Sequence, residues 1–174
     1  MIENRISEYS YEQLNGSIDI LDTIEDEIFD VIICHNVLEY IEFKEQLLNN
    51  FKRLLKKDGV ISIVKHNHTG RIMSKVIFEN KIDEAIDLLD GAELQVKNFG
   101  KVKYYAIEQL IQRTDDLRII KTLGLRTFWA LQQNNEAKYE DNWSDKMLLV
   151  EMKVSEIDEF KNIAFFHHVI LGTE

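Results

Sequence analysis

Proline is absent from all 174 residues, and glycine occurs only seven times. The loops must turn without the residue that fixes φ, which leaves the few glycines and Asn or Asp as punctuation. Cysteine occurs once, at Cys34. No disulfide can form within one chain, which fits a reducing compartment, so the cytoplasm is the expected location. No apolar run approaches the ~18 residues a membrane-crossing helix needs, so no membrane is expected. The stretch Met1-Ile2-Glu3-Asn4-Arg5 lacks the apolar core of a signal peptide. Positive charge is also in deficit, with 21 basic against 31 acidic residues and a formal net charge of −10. Such a chain gains nothing from the non-specific attraction that draws proteins to nucleic acid, and RNA binding would need a local basic patch.

The chain has the balance of a soluble globular domain, with 45% hydrophobic and 30% charged residues. It shows no internal repeat, low-complexity tract or linker, so residues 1–174 read as a single domain. Ile28-Phe29-Asp30-Val31-Ile32-Ile33-Cys34 is a nearly continuous β-branched and aromatic run, as expected of a strand buried on both faces. Residues 44–57 repeat Leu47, Leu48, Phe51, Leu54 and Leu55 at helical spacing, and Asp58-Gly59 stops the pattern. Val60-Ile61-Ser62-Ile63-Val64 follows as a second buried strand. Strand, helix, turn and strand make a βαβ unit with a right-handed crossover. Further along, 69–80, 82–89, 107–115, 127–136 and 143–154 read as helices, with Gly91 as a C-cap. Residues 11–18, 117–125 and 163–171 read as strands, and 97–103 as a basic, aromatic loop. The alternation indicates an α/β domain.

Phe29-Asp30-Val31-Ile32-Ile33-Cys34-His35-Asn36-Val37-Leu38-Glu39-Tyr40-Ile41 resembles the fourth strand and following turn of class I S-adenosylmethionine-dependent methyltransferases. Leu54-Leu55-Lys56-Lys57-Asp58-Gly59-Val60-Ile61 resembles that family's "LLKPGG" turn into its fifth strand, with Lys57-Asp58 in place of Pro-Gly. Within the superfamily, three segments resemble the tRNA 5-carboxymethoxyuridine methyltransferases. Cys34-His35-Asn36-Val37-Leu38-Glu39-Tyr40 matches "FHAVLEW", Val64-Lys65-His66-Asn67-His68-Thr69-Gly70 matches "FYNAHG", and Thr122-Leu123-Gly124-Leu125-Arg126-Thr127-Phe128 matches "KTGVRVF". The resemblance implies a Rossmann-like sheet, mostly parallel with an antiparallel C-terminal strand, and S-adenosyl-L-methionine as cofactor. It also implies a Gly-rich loop after the first strand and an acidic residue ending the second. Neither is in this sequence, so the expectation is an incomplete, N-terminally truncated methyltransferase domain that lacks the first strands. A sheet without them leaves a strand edge unpaired, through which two copies could dimerise.

The resemblance also assigns residues. Ile18 and Asp19 match positions that contact the adenine, Ile18 by packing and Asp19 by accepting the amino group; a surface turn with a solvated aspartate is the alternative. His35 matches a histidine beside the methionine end of the cofactor, against the alternative of a histidine capping the strand end. Glu39 reads as a brace for the following helix. Asn67 lies after the second buried strand and reads as lining a substrate pocket. His66-Asn67-His68 offers no third ligand at metal spacing, so no metal is expected. His167 and His168 fall on opposite faces of a strand. Arg126 suits recognition of a substrate carboxylate, the nucleophile in the resembling tRNA family, with a plain surface arginine as the alternative. Lys97, Lys101 and Lys103 with Phe99, Tyr104 and Tyr105 form a candidate RNA-facing patch beside the reading of ordinary exposed lysines. Two functions follow: a methyltransferase acting on a small molecule or a modified tRNA uridine, or a non-catalytic methyltransferase-like scaffold that binds a partner or dimerises.

Overall fold

The computed structural model describes residues 10–92, 94–96, 100–102, 104–114 and 116–173. Residues 10–15 form no strand, and the first regular element is a 3-10 turn over Ile18–Thr23. Strand β1 covers Phe29–His35, helix α1 Lys44–Leu54 and strand β2 Leu55–His66. β1 and β2 pair in parallel. The helix ends at Leu54, earlier than its apolar repeat suggests, because Leu55 is already paired with Phe29. The Asp58-Gly59 turn lies inside the strand as an irregularity: Asp58 takes φ 66, and the register jumps from Phe29↔Leu55 to Val31↔Val60.

Helices α2 (His68–Ile77) and α3 (Ile82–Leu89) follow. Gly91 caps α3 at φ +91, a left-handed conformation that suits glycine. Where the basic loop was expected, β3 (Leu94–Val96) and β4 (Gly100–Val102) pair antiparallel; Lys97, Phe99 and Lys103 lie outside the described residues. Helix α4 is short, Ile107–Ile111. Strand β5 spans Leu117–Leu125 as its pattern indicates. The following segment is a set of turns instead of the expected helix. Arg126 takes φ 59, and the next three amides, of Thr127, Phe128 and Trp129, donate to the Glu151 carboxylate at 2.9, 2.8 and 2.7 Å. Helices α5 (Trp143–Val154) and α6 (Asp158–Lys161) lead into β6, Phe166–Thr173.

The main sheet runs β1-β2-β6-β5. β6 opposes both its neighbours, so β1, β2 and β5 share one direction and only the C-terminal strand is reversed. This is the mixed α/β, Rossmann-like arrangement that the resemblance implied. One face packs under α1 and α4. Leu48, Ile61, Ile63, Val169 and Leu171 are 0% exposed there, each contributing roughly 1.5–3 kcal/mol by burial. On β1 only Ile32 and Cys34 join that core. Val31 and Ile33, on the other face, are 52% and 68% exposed. The expectation of a strand buried on both faces thus holds on one face only, because no helix of the described residues covers the other near β1. Among the described residues no helix is long and apolar enough to cross a membrane.

Candidate active site

The carboxyl ends of β1 and β2 lie side by side, with His35 paired to Val64. The chain leaves β1 through Asn36, held at φ 54 with its amide donating to the Val64 carbonyl at 2.7 Å. It then coils through a 3-10 turn at Leu38–Tyr40. In open α/β sheets ligands bind beyond this edge.

His35 is exposed, on the open face of the sheet. Its Nε2 lies 2.9 Å from the Ser62 hydroxyl, which lies 2.8 Å from His168 Nε2. The two imidazoles meet edge to face at 5.8 Å. Burial, and then the His35 charge, lower the His168 pKa. Ser62 is thus a relay between two rings from β1 and β6. His167 points the other way: its ring nitrogen donates to the Lys161 carbonyl at 3.0 Å, and burial lowers its pKa. The two histidines do part to opposite faces.

Glu39 is 2% exposed. Its Oε1 accepts the His66 amide at 2.6 Å, bracing the end of β2, while Oε2 is buried without a hydrogen-bond partner among the described residues. Around it sit Cys34, Lys65 and Tyr105, all of which feel its charge. Lys65 follows Ile61 and Ile63 at strand parity, so its stem runs along the packed face. It is 9% exposed, its ammonium is 5.0 Å from the Tyr105 ring centroid, and burial lowers its pKa.

Asn67 is 6% exposed, and its amide nitrogen donates to the carbonyls of Asn162 and Ala164, both at 2.8 Å. Both hydrogens therefore tie β2 to the segment before β6. Arg126 is exposed, with its guanidinium 5.6 and 5.7 Å from the Phe165 and Phe166 rings. Arg71 lies over the same Phe165 ring at 5.0 Å and within 3.2 Å of His66 Nδ1. Burial, followed by the charges of Arg71 and Lys65, holds His66 down to about 4. His35, Asn67 and Arg126 thus all stand at one edge of the sheet. In the 3-10 turn, Ile18 packs on the core, and Asp19 is exposed and accepts from Ser17 at 3.1 Å. Among the described residues the buried Tyr105 hydroxyl of the expected RNA-facing patch has no hydrogen-bond partner, and the Tyr104 ring packs on His68 at 4.6 Å.

Sequence reasoning passed over Lys65, Arg71 and the buried side of Glu39. Lys65 was visible in principle as a lysine on the apolar parity of a strand. Arg71 carried no signal, because α2 brings it to Phe165 only through the packing of Gly70 on Ala164 and Phe165.

A methyltransferase-domain family model matches residues 6–122 of this chain. No curated protein matches. Among solved structures, PKMT2 from Rickettsia typhi in complex with AdoHcy is 16% identical, with a TM-score of 0.47 over 91% of this chain and 38% of its own. A SAM-dependent methyltransferase from Archaeoglobus fulgidus is 12% identical, with a TM-score of 0.48 over 92% of this chain and 66% of its own. The plantazolicin methyltransferase BamL, in complex with a triazolic desmethylPZN analog and SAH, is 12% identical, with a TM-score of 0.47 over 91% of this chain and 58% of its own. This chain therefore spans between 38% and 66% of the length of these three proteins. The family match covers more than half of the sequence, and the chain belongs to the methyltransferase-domain family.

Proposed function

We propose that this chain, read as one domain over residues 1–174, serves methyl transfer from S-adenosyl-L-methionine to a small molecule or a modified tRNA uridine. The observation that carries this is the carboxyl edge of the β1–β2 pair, within the stretch matched by the family model. It presents an exposed imidazole, His35, whose only hydrogen bond among the described residues is to Ser62. Glu39 braces the end of β2 at the same edge through the His66 amide. A donor-bearing ligand end suits that imidazole, and the ammonium of S-adenosylmethionine makes such an end. The cofactor supplies an activated methyl on a good leaving group. The protein must then hold an acceptor in line and exclude water. A carboxylate acceptor needs no base for that step. In this reading His35 lies by the methionine end, Ile18 and Asp19 serve the adenine, and Asn67 and Arg126 face the acceptor. Asn67 acts by fixing the pocket wall, since its amide hydrogens are already used.

Calorimetric titration with S-adenosylhomocysteine tests the reading. Binding that is lost on His35→Ala supports it, and no binding at millimolar ligand removes catalysis by this chain alone. The open outer edge of β1, with Val31 and Ile33 exposed, favours a second reading, a methyltransferase-like scaffold that pairs with a second copy.

A further inference from the structure

Helix α5 is held to the domain along one narrow side. Trp143 meets the Trp129 ring edge to face at 4.9 Å, and Glu151 takes the three amides of the turn after Arg126. Met147 and Val154 are half-buried at the same helical spacing, so these four side chains form one stripe. Yet none of the 12 residues of the helix is buried. Its other side carries a second apolar stripe, Leu148, Leu149 and Met152, which are 57%, 54% and 65% exposed. Beside it, Val150 lines a shallow groove with Phe128, Leu131, Gln132 and Met147. A helix of this length is marginal alone in water and gains its stability by burying an apolar face. One that is apolar on two sides is built to be covered on both.

The charges on the outer side indicate what covers it. Asp145 stands in the first turn of α5 and Lys153 in the last. Both are exposed, and neither has an ion pair among the described residues. Each lies four residues from Leu149 and on the same side of the helix. We propose that the stripe is covered by the α5 helix of a second copy, with the two helices antiparallel about a two-fold axis at Leu149. That arrangement sets Asp145 against Lys153 of the partner subunit, and symmetry repeats the pair. It also stacks Leu149 on the partner's Leu149 and brings Val150, at the groove, to the partner's Leu148. A parallel pairing would set Asp145 on Asp145 and Lys153 on Lys153, like charge on like. The contact uses no residue of the β1 edge and does not depend on the methyltransferase reading.

The test is sedimentation velocity of the full chain carrying Val31→Lys, which takes pairing through the β1 edge out of the measurement. At physiological ionic strength this chain is expected to pass from monomer to dimer as concentration rises, and Leu149→Glu should abolish the dimer. Asp145→Lys and Lys153→Asp should each weaken it roughly tenfold. These two substitutions move the net charge in opposite directions, so an effect of overall charge would weaken one variant and strengthen the other. An equimolar mixture of the two should recover the dimer, because each variant offers the charge that the other has lost. A disturbed charge–dipole interaction within α5 is not repaired by mixing. A chain that stays monomeric, a dimer indifferent to Leu149→Glu, or a mixture that associates no more tightly than its components overturns the proposal.

Discussion

Burial, and after it the Glu39 carboxylate, push the Cys34 thiol up to about 11. Since the thiolate is the reactive form, only about one molecule in a thousand carries it at pH 8. Iodoacetamide should therefore label the native chain roughly 100-fold more slowly than the chain in guanidinium, read by mass spectrometry. Rapid native labelling would mean that the β1 end opens readily. His66 gives the matching prediction for a base. Its folded pKa is depressed, so below about 6.5 the unfolded chain takes a proton that the folded chain refuses. The stability from the neutral ring is complete above that pH and is lost as pH falls toward 4. Between pH 7 and pH 5 the loss is on the order of 2 kcal/mol, and His66→Phe, which keeps a ring against Phe166, should remove that part. Urea midpoints at the two pH values decide it; an equal drop in both proteins would place the proton elsewhere. Neither shift was legible beforehand, because both come first from burial by the folded chain and only then from the charges of Glu39 and Arg71.

Elements show where local signals sufficed. Helix 82–89 and strand 117–125 match their apolar patterns end to end, since each coincides with a packing face or a hydrogen-bonded partner, and helix 143–154 matches in extent although none of its residues is buried. Residues 127–136 misled because the helical pattern there competes with a carboxylate from α5. Glu151 takes three consecutive amides and holds the turn open. That carboxylate also fixes where the chain leaves Arg126. Glu151→Ala should cost about 2–3 kcal/mol, the penalty for buried donors losing a charged acceptor. Trp129 and Trp143 meet edge to face at 4.9 Å across this turn, so their fluorescence should shift in the variant before global unfolding. An unchanged emission spectrum and midpoint would show that the turn stands without Glu151.

At the scale of the molecule, the packed face and the open face of the sheet behave differently. The open face carries Val31, Ile33 and Ile120 at 52%, 68% and 48% exposure beside the His35–Ser62–His168 row. With the outer edge of β1 unpaired among the described residues, such a surface invites strand addition. On the second-copy reading, the chain self-associates with rising concentration in sedimentation velocity. Val31→Lys should shift it toward monomer while changing stability by no more than about 0.5 kcal/mol. A monomer at all concentrations would remove the second-copy reading.

The strand–helix–strand order of residues 28–64, the parallel β1–β2 unit and the family were set by the sequence itself. Apolar period and turn residues act over a few positions, and the ordered motifs of residues 28–64 sit within one βαβ unit. Tertiary structure alone decided which face of β1 is bare, which of two adjacent histidines meets Ser62, and that Asn67 spends its amide hydrogens on the backbone. It also decided that Lys65 ends over the Tyr105 ring in a cavity that Glu108 shares. These depend on residues as far apart in the chain as Ser62 and His168. Their meeting follows from how β6 inserts antiparallel between β2 and β5, a pairing that no local pattern encodes.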